Sequence, residues 1–406
     1  MNRSFWFSLS LLCFCFFVVI CCSENQSSDI GAAELRWSVD FESGTAENFH
    51  YRDDWSIGFS IPYEPGGEEY LWFYFKLYNS AREGLEFVLE NAAGAHQTGV
   101  RWDITRPTFS ADGHTWFRAQ EINYNGTVFR FRSPIVASTL WVAYCYPYTN
   151  TDLASFVETI QNSNNINISV LGKSQEQRDI IAIHVIEDGD THEIRKPLIW
   201  VIGREHPGET PLSYVCEGIV EALLHSTAGE LLRQVYDFTV IPMLNVDGVF
   251  HGFYYHSAGG INLARDWIAF ESPEASVLHD SLLEDIQAHG VRLLINLHSA
   301  NDPTKGHYFL VIPEENLTYE DRQFQRQLLR AANNVNPQLQ SYSTVNLLPY
   351  PGITGNALYS NYDLYSFYLE SNYSRGADGS MVTRQTLRDV GAALVEVLAG
   401  VLEPEK

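Results

Sequence analysis

The sequence predicts two domains in series: an antiparallel β domain over residues 31–155, then an α/β domain over 167–404 whose sheet is mostly parallel. Two observations carry this. From about residue 31 to 155, aromatic and β-branched runs are cut by Gly, Asn, Asp and Pro turns, with almost no helical periodicity. Beyond about 167, short apolar runs alternate with amphipathic stretches, the pattern of strands connected through helices.

In the first domain the runs are EYLWFYFKLYN (69–79), LEFVLEN (85–91), TVFRFRS (127–133) and TLWVAYCYPYT (139–149). Residues 156–166 read as a polar connection. In the second domain, PLIWVI (197–202), DFTVIPML (237–244), RLLINLHS (292–299) and YFLVI (308–312) have the continuous apolar character of strands buried on both faces. Leu212, Val215, Ile219 and Leu223 recur at helical spacing, with Thr210 as the expected N-cap and Pro211 at the first helical position. The chain closes with another helical stretch, TRQTLRDVGAALVEVLAGVL. In such a fold the site is expected beyond the C-terminal ends of the parallel strands.

At 406 residues the chain is long enough for two cores, and 45% hydrophobic residues mark it as globular. A formal net charge of −24 argues against nucleic acid or an anionic membrane surface as partner. Residues 1–22 carry one positive charge and then an almost unbroken apolar run from Ser4 to Cys22, the shape of an export signal or an uncleaved anchor. Cys22 is also a conceivable lipid-attachment site, although Val19, Ile20 and Cys21 fit that pattern poorly. The expected location is therefore periplasmic or extracellular, with membrane contact only through this segment. Four of the six cysteines lie within it; the remaining two, Cys145 and Cys216, fall in different domains and imply no disulfide framework.

The stretch VIGREHPGETPLSYVCEG (201–218) sets His206 and Glu209 where a strand gives way to a helix. A catalytic zinc takes three protein N or O ligands and keeps an open position. His298, at the end of RLLINLHS, would supply the third from a neighbouring strand. Alone, a histidine and a glutamate three residues apart are common without metal, and a strand-end histidine is more often a packing residue. The two features at strand ends of one domain favour the metal.

HPGE, NVDGVFHG, GGINLARDW, NLHSA and FYLESNYSRG occur in the order and at about the spacing of the zinc metallocarboxypeptidase family, which the chain resembles. FESGTAENF, WFYFKLYN and AYCYPYTNTDL are similar to the β-sandwich that precedes the catalytic domain in the cytosolic carboxypeptidase branch, which includes tubulin deglutamylases. The resemblance implies one Zn²⁺ per chain held by His206, Glu209 and His298, with Glu370 as general base. It also implies a peptide or amide-linked substrate.

Departures from the family pattern fall on the substrate side. Arg265 keeps the arginine of a carboxylate-gripping pair, but Ala264 replaces its asparagine. Tyr255 stands where a carbonyl-polarising arginine belongs, and Asn262 replaces an aspartate that orients the first zinc histidine. Asn356 occupies a position where glutamate-trimming relatives often carry arginine, so the polyglutamate substrate is not carried over. Tyr350 is a candidate for the mobile tyrosine that closes over substrate, among 22 tyrosines in the chain. Gly208 is expected to let substrate approach the backbone closely. The leading expectation is thus an exported zinc metallopeptidase with altered anchoring. Two rivals stand beside it: an inactive peptidase fold that binds, and a β domain that presents aromatics to a partner or glycan.

Overall fold

A computed structural model describes residues 34–95, 101–187, 196–300, 306–335 and 354–402, together with the backbone of Leu339–Gln340. The export segment 1–22 and Tyr350 lie outside the described residues.

The first domain is a sandwich of two five-stranded sheets. One orders Arg36–Ser38, Tyr74–Tyr78, Thr139–Ala143, Thr108–Ser110 and Trp116–Arg118; the other orders Glu47–Asp53, Ser56–Ser60, Glu86–Leu89, Phe129–Arg132 and Ile122–Tyr124. Pairing is antiparallel as expected, except that Ser56–Ser60 runs parallel to Glu86–Leu89. The alternation in WFYFKLY explains the core: Phe73, Phe75 and Leu77 point inward and are fully buried with Phe59, Phe87 and Phe131. Their rings pack at 5.1 Å (Phe59–Phe75) to 6.4 Å (Phe73–Phe75) between centroids. These runs therefore build an interior rather than a presenting face. Between them in sequence, Lys76 points outward and lies 3.7 Å from the Trp141 ring centroid.

Of the expected polar connection, 161–165 does lead into the next strand, whereas 156–160 is instead the second half of a helix, Asn150–Ile160. Thr149 and Asp152 close a reciprocal capping box at its start, and Leu153, Phe156 and Ile160 bury one stripe of it. Polar residues between those three positions hid the helical spacing.

The second domain is built on an eight-stranded mixed sheet. Its middle strands, Asp237–Ile241, Leu198–Ile202, Val291–Ser299 and Ser366–Ser371, run parallel to one another. Ile166–Lys173 and Asp179–Val185 extend one side antiparallel, and His307–Val311 pairs antiparallel on the other. The strand expected to reach 244 stops at Ile241, because Pro242 leads into the turn before helix Val246–His251. Helices Pro211–His225 and Arg384–Val401 pack together, and Arg388 Nη2 pairs with Glu217 Oε2 at 2.6 Å. Pro211 does open its helix, but Thr210 has helical dihedrals and makes no side-chain cap. Cys145 and Cys216 are both buried and unbridged.

Because the middle strands share a direction, the segments after Ile202, Ser299 and Ser371 gather along one edge of the sheet. Among the described residues no helix is long and apolar enough to cross a membrane.

Candidate metal centre

Strand Leu198–Ile202 ends in Gly203 and Arg204, and Arg204 takes a left-handed φ of 62°. A non-glycine residue is held there only when its surroundings over-determine it. They do: its wholly buried guanidinium donates to the carbonyls of Pro207 and Tyr148 and to Ser213 Oγ. Burial pulls this arginine down to about 10, with tyrosines and Glu209 pushing the other way. Arg204 thus clamps the ligand loop between strand and helix and ties it to the sandwich through Tyr148.

Within that loop His206 Nδ1 faces Glu209 Oε1 at 2.9 Å, and His298 Nδ1 faces Glu209 Oε2 at 3.3 Å. The candidate donor atoms of His206, Glu209 and His298 all lie within 4.8 Å of one another, and all three residues are buried. The opposite ring nitrogens are held from behind. His206 Nε2 lies 3.2 Å from Asn262 Oδ1, and His298 Nε2 lies 3.0 Å from Glu205 Oε2. An Nε2–H donated outward leaves each Nδ1 lone pair facing inward, the tautomer a metal ligand needs. Ser299 N–H fixes Glu209 Oε2 at 3.0 Å.

The carboxylates also draw positive charge into the cluster. Burial opposes ionisation of Glu209, yet the His206 and His298 charges and hydrogen bonds hold its carboxyl at about 2. Burial likewise opposes a charged His298, but Glu209 and Glu205 outweigh it and keep that imidazole well above its ordinary value. Two imidazole Nδ1 atoms and a carboxylate converging in a buried space favour a positive charge there, and a metal cation taking the place of a proton on Nδ1 leaves each ring its outward Nε2–H. The donor set of two N and one O suits zinc, so residues and metal fit.

Glu370 is the Cα partner of His298 across the parallel pair Val291–Ser299 and Ser366–Ser371. Directly paired residues share a face, so Glu370 rises beside the ligand cluster. Tyr368, on that face too, packs its ring 5.3 Å from the His298 ring.

Asn262 does what an aspartate at that position would do, as an uncharged acceptor. Tyr255 is less simple. Its ring stacks on His206 with centroids 4.1 Å apart and planes 19° apart. The Arg265 guanidinium carbon lies 5.9 Å from the Tyr255 ring centroid. Burial pushes the Tyr255 phenol up, and Arg265 and Asn262, both in hydrogen-bonding reach, partly reverse this. Arg265 therefore sits exposed at the rim beside Tyr255, next to the buried Ala264. Asn356 lies in helix Thr354–Tyr362, whose Gly355 N–H is held by Tyr368 Oη at 3.0 Å. Gly208 has a different purpose from the one its sequence suggested. A Cβ there would come within 2.6 Å of the Tyr254 ring and 2.8 Å of Tyr254 Cα, so the glycine admits Tyr254, not substrate.

Sequence reasoning missed Glu205. Its carboxylate is fully buried and accepts from Trp267 Nε1 (2.8 Å), Asn296 Nδ2 (2.7 Å), Thr354 Oγ1 (3.3 Å) and His298 Nε2. Burial works against its charge, and those partners, His298 foremost, hold it below the ordinary value. The only signal in the sequence was a carboxylate placed between an apolar strand and a ligand histidine.

Comparison with known proteins agrees with this geometry. The cytosolic carboxypeptidase N-terminal domain family matches residues 37–145, and the zinc carboxypeptidase family matches 153–350. Mouse (Mus musculus) cytosolic carboxypeptidase 6 is 39% identical over 166 residues, 40% of this chain and 28% of that protein. The Caenorhabditis elegans protein of the same name is 30% identical over 215 residues, 48% of this chain and 46% of that one. The chain thus spans less than half the length of either relative. Among solved structures, a metallo-carboxypeptidase from Burkholderia cenocepacia superposes with a TM-score of 0.81 at 22% identity, covering 90% of this chain and 98% of that one. A Pseudomonas aeruginosa metallo-carboxypeptidase in complex with (2-guanidinoethylmercapto)succinic acid superposes with 0.80 at 23% identity, over 90% and 99%. At such identities the likeness establishes the fold.

Proposed function

From the premise that the chain belongs to the zinc carboxypeptidase family, with a cytosolic carboxypeptidase N-terminal domain ahead of the catalytic one, we propose that it is a zinc-dependent hydrolase. Its substrate is an amide bond near a free carboxylate, anchored differently from the family pattern. One observation supports this above the others: the His206–Glu209–His298 cluster with Glu370 paired to His298 across the strands.

Bound zinc supplies a Lewis acid and lowers the pKa of water in the site. Glu370 serves as the base that takes the water proton and returns it to the leaving amine. Glu209 stays ionised, and His206 and His298 are held in the ligating tautomer by Asn262 and Glu205. Arg265 receives the substrate carboxylate at the rim, where a planar guanidinium binds it through paired hydrogen bonds. Tyr255 offers a phenol to the carbonyl oxygen in place of a fixed charge, with Arg265 beside it. Ala264 and Asn356 remove polar and cationic groups from the pocket, which favours a substrate other than an acidic tail. The apolar run Ser4–Cys22 supports export, so a cell-wall peptide or an amide-linked conjugate suits this enzyme better than a cytosolic chain.

The test is zinc content, followed by hydrolysis of C-terminally free, amidated and isopeptide-linked peptides, with Glu370→Gln as control. Zinc retained with at least a hundredfold loss in Glu370→Gln is the expected result. The Tyr255 ring stacked on His206, with Ala264 at the anchor, favours a second reading, an inactive fold that binds peptides. Stoichiometric zinc with no turnover of any peptide decides for that one.

A further inference from the structure

The sandwich reaches into the catalytic domain close to the metal ligands. Glu64, on the sandwich loop after Ser56–Ser60, is buried, with 4% of its side chain exposed. Its Oε2 accepts Tyr254 N–H at 2.6 Å, and its Oε1 accepts Tyr255 N–H at 2.9 Å and faces His256 Nδ1 at 3.0 Å. Three consecutive residues of the catalytic domain are therefore gathered on one carboxylate that the other domain supplies. The backbone alongside is equally tight. Gly66, at φ +92°, approaches Gly260 so closely that a Cβ on it would lie 1.9 Å from the Gly260 carbonyl oxygen.

What this turn carries makes the contact more than docking. Tyr254 accepts Gly208 N–H at 2.9 Å through its carbonyl, between the ligands His206 and Glu209 in sequence. Tyr255 lays its ring on His206 at 4.1 Å and keeps its phenol beside Arg265 and Asn262. We infer that Glu64 is a positioning residue of the catalytic centre, setting from the sandwich the place of Tyr255 over His206 through the Tyr254–Tyr255–His256 turn. The sandwich is then a working part of the site. Two hydrogen bonds to adjacent backbone N–H groups fix the turn in a way that a side-chain contact at its tip would not.

The inference rests on the proposed hydrolysis for its kinetic readout, so the experiment carries a second readout that needs no turnover. Variants Glu64→Gln, Tyr255→Phe and the double mutant are compared in the full chain for kcat, KM and the rate of zinc release to a chelator. Ser43→Ala is the control, since Ser43 Oγ donates to Val249 O across the same two domains at 2.6 Å without touching this turn. Glu64→Gln keeps one carbonyl oxygen for the backbone but turns an amide onto His256 or a backbone N–H. A displaced donor costs on the order of tenfold or more in kcat with KM little changed. Zinc release is expected to quicken several-fold in Glu64→Gln, which displaces the ring stacked on His206, and to stay near wild type in Tyr255→Phe, which keeps that ring. If Glu64 acts through Tyr255, the double mutant loses no more kcat than Tyr255→Phe alone. Losses that multiply in the double mutant, or a Glu64→Gln no different from Ser43→Ala, overturn the inference. If no peptide is turned over, the hydrolase reading fails while the zinc-release comparison still decides for or against Glu64. Partial rescue by Glu64→Asp separates lost hydrogen bonding from misfolding.

Discussion

Replacing Glu205 by glutamine should weaken zinc binding as well as the fold. The carboxylate satisfies four donors: Trp267 Nε1 and Thr354 Oγ1 on Oε1, Asn296 Nδ2 and His298 Nε2 on Oε2. A glutamine of the same shape can serve only one of those pairs. With its amide towards Asn296 and His298, two N–H groups meet a third, and His298 escapes only by moving its proton to Nδ1. That nitrogen faces Glu209 at 3.3 Å and is the ligand atom, so zinc is lost directly. With its amide towards Trp267, the ligating tautomer survives but a buried indole N–H is orphaned, at about 1–3 kcal/mol. In both arrangements the negative charge behind the imidazole disappears, and loss of such partners costs roughly 10–100-fold in metal affinity. Zinc affinity measured by competition with a chelator, beside urea unfolding of the metal-free protein, reads both terms. The expected outcome is at least a tenfold weaker zinc Kd with a stability loss of about 1–3 kcal/mol. A Glu205→Gln protein that binds zinc within twofold of wild type would refute the argument.

Other outcomes follow from the same geometry. Asn262→Asp puts a charge behind His206 Nε2, now met by a neutral amide at 3.2 Å, and should tighten zinc roughly tenfold in the same competition assay. Arg265→Gln should raise KM for peptides with a free carboxylate by roughly 10–100-fold and leave amidated ones unchanged; equal effects on both would remove Arg265 as the anchor. His184, packed between Ser169 Oγ and Thr239 Oγ1, is held by burial at about 4, as is His307. Because these folded values lie below the unfolded one, the stability they confer is present above about pH 6.5 and lost as pH falls towards 4. Each should cost about 2 kcal/mol by pH 5, read by urea unfolding at the two pH values. His184→Gln should flatten its share of the slope, and a slope identical to wild type would contradict the assignment.

The candidate metal cluster was legible because its chemistry is local: a histidine and a glutamate at a strand end, and another histidine at the end of a second apolar run. Asn262 was legible for the same reason, one residue standing in for another in a readable string. Glu205 stood in that string too, but its meaning depends on Trp267, Asn296, His298 and Thr354, which only the fold assembles. Helix Asn150–Ile160 was hidden because a single buried stripe of Leu153, Phe156 and Ile160 runs through polar neighbours. Gly208 was misread because closeness of approach says nothing about what approaches. Glu64 could not be found at all, since its partners are about 190 residues away and two of them are backbone groups.

These two kinds of residue divide the site. On the metal side, every candidate ligand is fixed twice, by its strand or loop and by a partner behind it, and the strained φ of Arg204 is offset by hydrogen bonds to Pro207, Tyr148 and Ser213. Such a scaffold needs an acceptor behind each imidazole, and the neutral Asn262 Oδ1 supplies one at 3.2 Å from His206 Nε2. On the substrate side, the donors proposed to face a scissile bond are Tyr255 and Arg265, and neither lies on a strand. Tyr255 is placed by a stack on His206 and by a turn that Glu64 holds from the other domain. A neutral phenol loses more from a small displacement than a long guanidinium with five donors, because its one hydrogen bond must point correctly. On the proposed mechanism, a tyrosine in this place makes the site more dependent on the sandwich, and specificity in this chain is expected to respond to substitutions at the domain seam as well as in the pocket.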